Sequence, residues 1–418
     1  MNKYIDFESL KIKGVGMIKD ILIIAHFTQI PGEGGNDRFN YIAEKINKDK
    51  ANVEIVTSNF SHDTKSRRNN INEEINSVNY KLTLLYEPGY YKNVSLKRLY
   101  SHFIMGRNLK KYLKYRKKPD VIYCAVPSLD VAKVAAKYAE ENDIPFIIDI
   151  QDLWPEAFKM VFNVPIISDI IFYPINKNAE YIYSTADAIV AVSNTYLNRA
   201  LKVNRKCSSG YSVFLGTDLN YFDKLANENK YLKKPKDEIW IVYIGTLGHS
   251  YDLISVIDAL KILKDKGISN VKFIIMGDGP LKSKFQSYAK QKDINAEFLG
   301  RLDYEIMVGI LKACDIAVNP ISHGAAQSII NKHADYAAAG LPIINTQECK
   351  EYRDLLTEYN AGFNCKNGDA EDISDKMITL CFDSELRKNM GKNSRKLAEE
   401  KFDRQNTYLA IVNLLNNI

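Results

Sequence analysis

The sequence predicts an α/β protein of two domains, each a parallel sheet wrapped by helices, facing one another across a central cleft. Three observations carry this. Short apolar runs alternate with amphipathic stretches along nearly the whole chain, the pattern of repeated strand–helix–strand units. Small-residue turns follow several of those runs, where parallel sheets bring backbone close to ligands. At 418 residues the chain is also longer than a single core usually serves.

Charged residues make up 26% and hydrophobic residues 46%, a composition that suits a water-soluble globular protein. The cysteines (Cys124, Cys207, Cys314, Cys349, Cys365 and Cys381) are scattered without a C-x-x-C pair. Neither a zinc site nor a disulfide framework is therefore expected, and a reducing cytoplasm is. Residues 1–19 lack the apolar core of a signal peptide. No apolar run approaches the ~20 residues that a membrane-spanning helix needs. The net charge of +6 is unevenly placed: residues 1–216 carry 30 Lys and Arg against 23 Asp and Glu, the remainder 27 against 28.

Taking the elements in order, Asp20–His26 reads as a buried strand. The turn Pro31–Asn36, containing Gly34 and Gly35, leads into an amphipathic helix reaching about Asp49. Asn52–Thr57 is the next strand, with Ser58-Asn59-Phe60-Ser61-His62 beyond it. His62 is a candidate base, although a lone loop histidine is more often simply solvated. Residues 88–119 hold ten bases and no acid. Between Ser95 and Lys117, Leu96, Leu99, Tyr100, Phe103, Leu109, Tyr112 and Leu113 recur at helical spacing, predicting one long helix with a buried apolar stripe and a basic outer face. A basic helix with aromatics, over Lys92–Lys118, suits an anionic membrane surface. A solvated face is the plainer alternative, and nucleic acid is not expected because no recognition module accompanies the charge. Asp120–Val126, Phe146–Ile150 and Ala188–Val192 read as strands and Ser128–Glu141 and Ser168–Tyr183 as helices, a Rossmann-like order. Directly after the Phe146–Ile150 strand come Gln151-Asp152-Leu153-Trp154-Pro155-Glu156, with two acids and an indole where such sheets bind ligands.

The first domain is expected to close at about Gly216, with a Lys- and Asn-rich linker over 217–238 and a second domain over 239–403. Ile239–Ile244 is a strand with the turn Gly245-Thr246-Leu247-Gly248, followed by a helix from about Asp252. Val271–Met276 precedes Gly277-Asp278-Gly279-Pro280, and Glu297–Leu299 runs into Gly300-Arg301. Cys314–Pro320 and Pro342–Asn345 are strands around a helix at Lys332–Ala339, with Ser328 or Asn331 as cap and Gly340 as stop. The start of that helix favours an anion, and Lys332 adds a full positive charge there. Asp335 lies one turn further in, where a carboxylate can accept two hydrogen bonds from a ribose diol. An acid there also serves simply to complement the helix dipole, for ~0.3–1 kcal/mol. Phosphate at the helix start and ribose beside the acid describe a nucleotide site.

Asn331–Pro342, reading NKHADYAAAGLP, resembles the donor-site signature of family-four, retaining glycosyltransferases of the GT-B fold. More narrowly, it resembles the branch that makes bacterial surface polysaccharides, the N-acetylfucosamine transferase-like enzymes. Asp152-Leu153-Trp154-Pro155-Glu156 resembles a segment of the same branch, and the similarity spans about residues 20–405. The resemblance implies a nucleotide-sugar donor, a UDP-sugar, and a glycan or polyprenyl-linked acceptor in capsule or O-antigen synthesis. It implies retention at the anomeric carbon, no metal or other cofactor, and a cytoplasmic enzyme peripheral to the inner face of the membrane. It further implies that the last helix, about 404–418, packs back on the acceptor-side first domain.

The roles it implies are these. Gly34 and Gly35 approach the sugar, Gly245, Thr246 and Lys332 meet the phosphates with Arg301 as a second cation, and Gly277 and Gly279 frame the base. Ser328 and Asn331 stand at the helix start, Asp335 holds the ribose, and Asp152 and Glu156 order the acceptor. The chain departs from the pattern at several places. Asp335 replaces the usual Glu, Gln327 a second Glu and Gln151 a His, while Thr246 and Tyr251 or Asp252 stand where relatives carry Arg and Lys. These departures leave two other readings open: a sugar-nucleotide epimerase of the same architecture, and a non-catalytic partner of another transferase.

Overall fold

The computed structural model describes residues 18–33, 38–68, 78–93, 95–159, 167–228, 234–325 and 329–418. Its contacts divide the chain into two units, one running up to Val213 and including Tyr408–Ile418, the other Phe214–Thr407. In the first unit the chain forms β1 (Lys19–Ile24), α1 (Arg38–Lys45), β2 (Ala51–Ser58), β3 (Phe60–Ser61), β4 (Ser66–Arg67), β5 (Lys81–Leu85) and α2 (Leu96–Tyr115). It continues with β6 (Val121–Val126), α3 (Leu129–Glu141), β7 (Phe146–Ile150), α4 (Glu156–Lys159), α5 (Ile167–Thr185), β8 (Ala188–Ala191), α6 (Asn194–Leu201) and β9 (Tyr211–Ser212). Seven of these strands form a parallel sheet in the order β5-β2-β1-β6-β7-β8-β9. Every residue of β6 and β7 is buried, as strands must be when helices cover both faces.

The second unit comprises α7 (Leu219–Glu228), β10 (Ile239–Ile244), α8 (Leu253–Asp265), β11 (Val271–Met276), α9 (Lys282–Gln291), β12 (Ala296–Gly300), α10 (Tyr304–Ala313) and β13 (Ile316–Asn319). It ends with α11 (Asn331–Ala339), β14 (Ile343–Asn345), α12 (Lys350–Tyr359), β15 (Gly362–Asn364), α13 (Ala370–Phe382), α14 (Ser384–Leu397), a π-helical turn over Ala398–Phe402 and α15 (Arg404–Thr407). Its six strands are again parallel, ordered β12-β11-β10-β13-β14-β15. Two α/β units with parallel sheets are what the alternating pattern predicts. The final helix, α16 (Leu409–Asn417), belongs to the first unit. Its Ile411, Leu414 and Leu415 share a core with Ile21, Ile23 and Ile55, and Lys19 Nζ donates to the Leu415 carbonyl at 2.8 Å.

Two expectations are corrected, and one strand goes unmarked in the sequence. The span 217–238 is not simply a linker: α7 buries Leu219, Phe222, Leu225 and Ala226 in the core of the second unit, an amphipathic spacing hidden among Lys and Asn. In α2 the inward face is Arg98, Ser101, His102, Met105, Gly106, Leu109 and Leu113, whereas Leu96, Leu99, Tyr100 and Phe103 are exposed. The apolar spacing is real but the first half of the helix turns it outward. The unmarked strand is β5, an edge strand with no fully buried residue, which lacks the apolar run of its neighbours.

One buried ion pair ties the first unit together. Arg38 Nε donates to Asp149 Oδ2 at 2.6 Å, and Nη1 donates to the Val213 carbonyl at 3.1 Å. The guanidinium lies 4.7 Å from the centre of the Tyr408 ring, and Tyr123 donates its hydroxyl to the same Asp149 oxygen. Removing one partner of such a pair strands a buried charge, at about 3–5 kcal/mol. Arg38→Met should therefore destabilise the protein by that order in urea denaturation, and Arg38→Met with Asp149→Leu should recover most of the loss. A double variant no more stable than the single one would show that the pair is not the cause.

Candidate functional site

The candidate site lies in the second unit at the carboxyl ends of β10 and β11. Three turns nest there. Gly245 N–H donates to the Met276 carbonyl at 3.0 Å, Gly277 N–H to the Gly300 carbonyl at 2.7 Å, and Leu247 N–H to the Asp278 carbonyl at 2.9 Å. Gly277 has φ +150, and a Cβ there would stand 1.8 Å from the Gly245 carbonyl oxygen, so only glycine fits. A Cβ at Gly279 would stand 2.4 Å from the Leu247 oxygen. These glycines are thus required for the turns to pack against one another. Thr246 is exposed, its carbonyl accepting from the Tyr243 hydroxyl at 2.7 Å, and Arg301 is exposed.

The helix α11 supplies the chemistry. Gly340 terminates it in the left-handed region at φ 73, as expected. Its N-cap is Ile330, whose N–H donates to His333 Nδ1 at 3.0 Å; Asn331 is the exposed first helical residue rather than the cap, and Ser328 lies outside the described residues. Lys332 is only 6% exposed, and among the described residues its ammonium has no hydrogen-bond partner. It is held between the rings of Tyr251 at 4.0 Å and Tyr243 at 4.7 Å. A Cβ on Gly245 would lie 3.7 Å from its nitrogen. Burial pushes the amine well below its ordinary range.

Asp335 is buried and accepts from the Tyr304 hydroxyl at 2.9 Å. Burial raises it to about 6, against the opposing pull of that hydroxyl and of the Arg404 charge. The tyrosine also lies 3.0 Å from Thr217 Oγ1. The positions where cations were sought have other roles here: Tyr251 faces the Lys332 ammonium, and Asp252 caps α8 by accepting from Ser255 N–H. The arrangement offers a buried ammonium, a glycine turn and a carboxylate one helical turn apart, groups that suit an oxyanion and a hydroxylated ring.

In the first unit, Gly34 and Gly35 fall outside the described residues. Asp152 accepts from its neighbour Leu153 N–H at 2.9 Å and from Trp154 Nε1 at 3.2 Å, and burial raises its carboxyl. Glu156 instead pairs with Arg199 at 2.7 Å, so the two acids have separate partners. His62 Nδ1 meets the Tyr90 hydroxyl at 2.5 Å. Sequence reasoning missed the group around it. His26, just past β1, bonds Ser128 Oγ at 2.6 Å through Nδ1 and Glu87 through Nε2. His102 stacks on Trp154, rings 5.9 Å apart and 13° from parallel. The signals were present: His26 stands at the carboxyl end of the first parallel strand, and His102 lies one turn after Arg98 on the inner face of α2.

Residues 226–397 match the family described as glycosyl transferases group 1. The matched residues lie within the second unit. Among curated relatives, an uncharacterised glycosyltransferase of Methanocaldococcus jannaschii is 26% identical over 229 residues, 53% of this chain and 56% of its own length. The capsular polysaccharide biosynthesis glycosyltransferase CapM of Staphylococcus aureus is 23% identical over 358 residues, 81% of this chain and 88% of its own. The crystal structure of Anabaena HepE in complex with UDP-glucose aligns over 96% of this chain and 100% of its own, with a TM-score of 0.67 at 14% identity. That likeness extends the shared α/β architecture to the first unit.

The unpartnered ammonium has a measurable cost. A buried donor left unsatisfied costs about 1–3 kcal/mol, so Lys332→Met should stabilise the ligand-free protein at neutral pH. Because the folded amine titrates below the unfolded one, the parent gains stability as pH rises toward the unfolded value near 10.4. The advantage of Lys332→Met should therefore shrink on going alkaline, read by urea denaturation at several pH values. An advantage independent of pH would mean that the amine is not the source.

Proposed function

We propose that the chain transfers a sugar from a nucleoside diphosphate, a UDP-sugar, to a glycan or polyprenyl-linked acceptor in surface-polysaccharide synthesis. The observation that carries this reading is Lys332: a buried, unpartnered ammonium beside the Gly245 turn and one helical turn from Asp335. A diphosphate supplies the oxyanions that the ammonium lacks, and Asp335 accepts from the ribose hydroxyls. Departure of the diphosphate from an oxocarbenium-like sugar is the barrier, so catalysis consists of positioning and of compensating charge on the leaving group. The Lys332 ammonium performs that compensation, without a metal, and the anomeric configuration is retained. The likeness to CapM, a capsular polysaccharide biosynthesis glycosyltransferase, supports the choice of pathway, and that to HepE in complex with UDP-glucose the choice of donor.

The same reading places the enzyme against the inner face of a membrane through α2. Leu96, 84% exposed, and Leu99, Tyr100 and Phe103 stand outward at its start, and Lys97, Arg107, Lys110, Lys111 and Lys114 along its length. Ile170, Ile171 and Tyr173 of α5 are likewise exposed. Among the described residues no helix is long and apolar enough to cross a membrane. Apolar side chains beside lysines suit the headgroup layer of anionic lipid.

Calorimetry tests the donor site. Lys332→Met should weaken UDP far more than uridine, since only UDP carries the diphosphate; equal losses would remove Lys332 from the phosphate. Asp335→Asn should cost the ribose about 1.5–3 kcal/mol, roughly ten- to a hundredfold in affinity. In the parent, UDP affinity should fall as pH drops through about 6, because the acid gains a proton there, and the Asn variant should lose that dependence. A parent profile that is flat across pH 5–7 would show that the carboxylate does not hold the ribose. Vesicle co-sedimentation tests the membrane: Lys110, Lys111, Lys114 and Lys117 changed to Glu should abolish binding to anionic vesicles and spare UDP affinity. A parent that ignores anionic vesicles would leave α2 a solvated face.

A further inference from the structure

Arg98 sits in the first turn of α2 and is only 9% exposed, yet among the described residues no carboxylate lies within ion-pairing distance of it. Its partners are neutral. Nη1 donates to the Asn93 carbonyl at 2.7 Å and Nε to His102 Nε2 at 3.4 Å. Three aromatic rings enclose the guanidinium, Trp154 at 4.9 Å, Tyr90 at 5.5 Å and Phe27 at 5.7 Å. The two nearest acids are engaged elsewhere: Glu87 bonds His26 and accepts from Ser101, and Asp152 holds the Trp154 indole. More basic groups stand at the rim. Lys65 lies 5.2 Å from the centre of the Tyr90 ring, and its amine donates to the His62 carbonyl. Burial, with these like charges, pushes His62 down to about 4 and lowers Lys65 and His102. Asp152, Glu87 and Asp63 compensate Arg98 and Lys65 only at a distance, without pairing with them, so charge held in these half-buried surroundings is costly in the empty protein, and an arriving oxyanion reverses the sign.

We propose that the Arg98 cage, with Lys65 and His62 at its rim, is an oxyanion seat for the acceptor, which therefore carries a phosphate, diphosphate or carboxylate group. The guanidinium keeps unused donors in a planar fork that matches such groups, and the rings hold it in place without neutralising it. That the occupant is the acceptor rests on the transferase reading above; the seat itself does not. The seat separates anionic acceptors from neutral glycans, because an uncharged sugar leaves the cations unpaired.

The test uses the full chain with Trp240→Phe, which leaves Trp154, in contact with Arg98, as the sole indole of two. Pyrophosphate, malonate and neutral maltose are titrated at constant ionic strength with UDP saturating, so that the second unit does not compete for the probe. Either anion should change Trp154 emission saturably and maltose should not. Tighter binding of pyrophosphate assigns a phosphorylated acceptor, and tighter binding of malonate a carboxylated one. Arg98→Gln should weaken the anion at least tenfold and Lys65→Gln severalfold, with Arg98→Lys intermediate and circular dichroism unchanged. The seat is overturned if no anion gives a saturable response, or if Arg98→Gln and Lys65→Gln both bind as the parent does. Lys332→Met should leave the Trp154 titration intact. A parent protein that gives the Trp154 signal but binds no UDP would overturn the donor reading alone, and a parent that binds UDP but gives no such signal would overturn the seat alone.

Discussion

The Arg38–Asp149 pair constrains everything in the first unit. A guanidinium and a carboxylate cannot be left unmatched in an interior, so α1, β7, the Val213 carbonyl and the Tyr408 ring must meet wherever Arg38 is placed. Tyr123 brings β6 into the same knot. With β1, β6 and β7 held in parallel register, the residues just past their carboxyl ends fall on one edge of the sheet. His26, Ser128 and Asp152 are those residues. The histidine and aromatic cluster is thus a product of strand register, and the buried pair helps to set that register.

Much of the architecture was legible because parallel strands announce themselves. Ile239–Ile244 is a continuous apolar run and Val271–Met276 one broken only by Lys272, each followed by a glycine turn, and both strands form over those residues. The helix ending at Gly340 was equally clear, since a left-handed stop favours that residue. What the chain concealed has a common physical cause. Spacing shows that a helix is amphipathic but not which side finds a neighbour, so Leu96 and Phe103 read as core although Arg98 and His102 turn inward. The same ambiguity hid α7 within a polar stretch. The donor-side residues Lys332 and Asp335 stood in one local segment and could be read together. His26, Glu87, Arg98 and Trp154 converge from separate segments, and only the fold assembles them.

The two sites share a device. In each, a buried cation is held by aromatic rings, Lys332 by Tyr243 and Tyr251, Arg98 by Phe27, Tyr90 and Trp154. A carboxylate would have fixed these cations more strongly and also cancelled them. A ring's quadrupole attracts a cation, worth about 0.5–2 kcal/mol, while leaving its charge unspent. The protein thereby keeps positive charge in low-dielectric surroundings, where it acts strongly on an arriving anion.

The return of the chain to the first unit sets an order of events during synthesis. The core on the sheet that begins at Lys19 is completed by Tyr408, Ile411, Val412, Leu414 and Leu415. The second unit, by contrast, is a single continuous stretch from Phe214 to Thr407. On the ribosome, the unit that starts first must therefore wait until the other has been made, its Arg38 side still open around a missing aromatic ring. Chaperones that recognise exposed apolar surface should find their substrate in the earlier half of the nascent chain, and a premature stop after residue 407 would injure the half translated first.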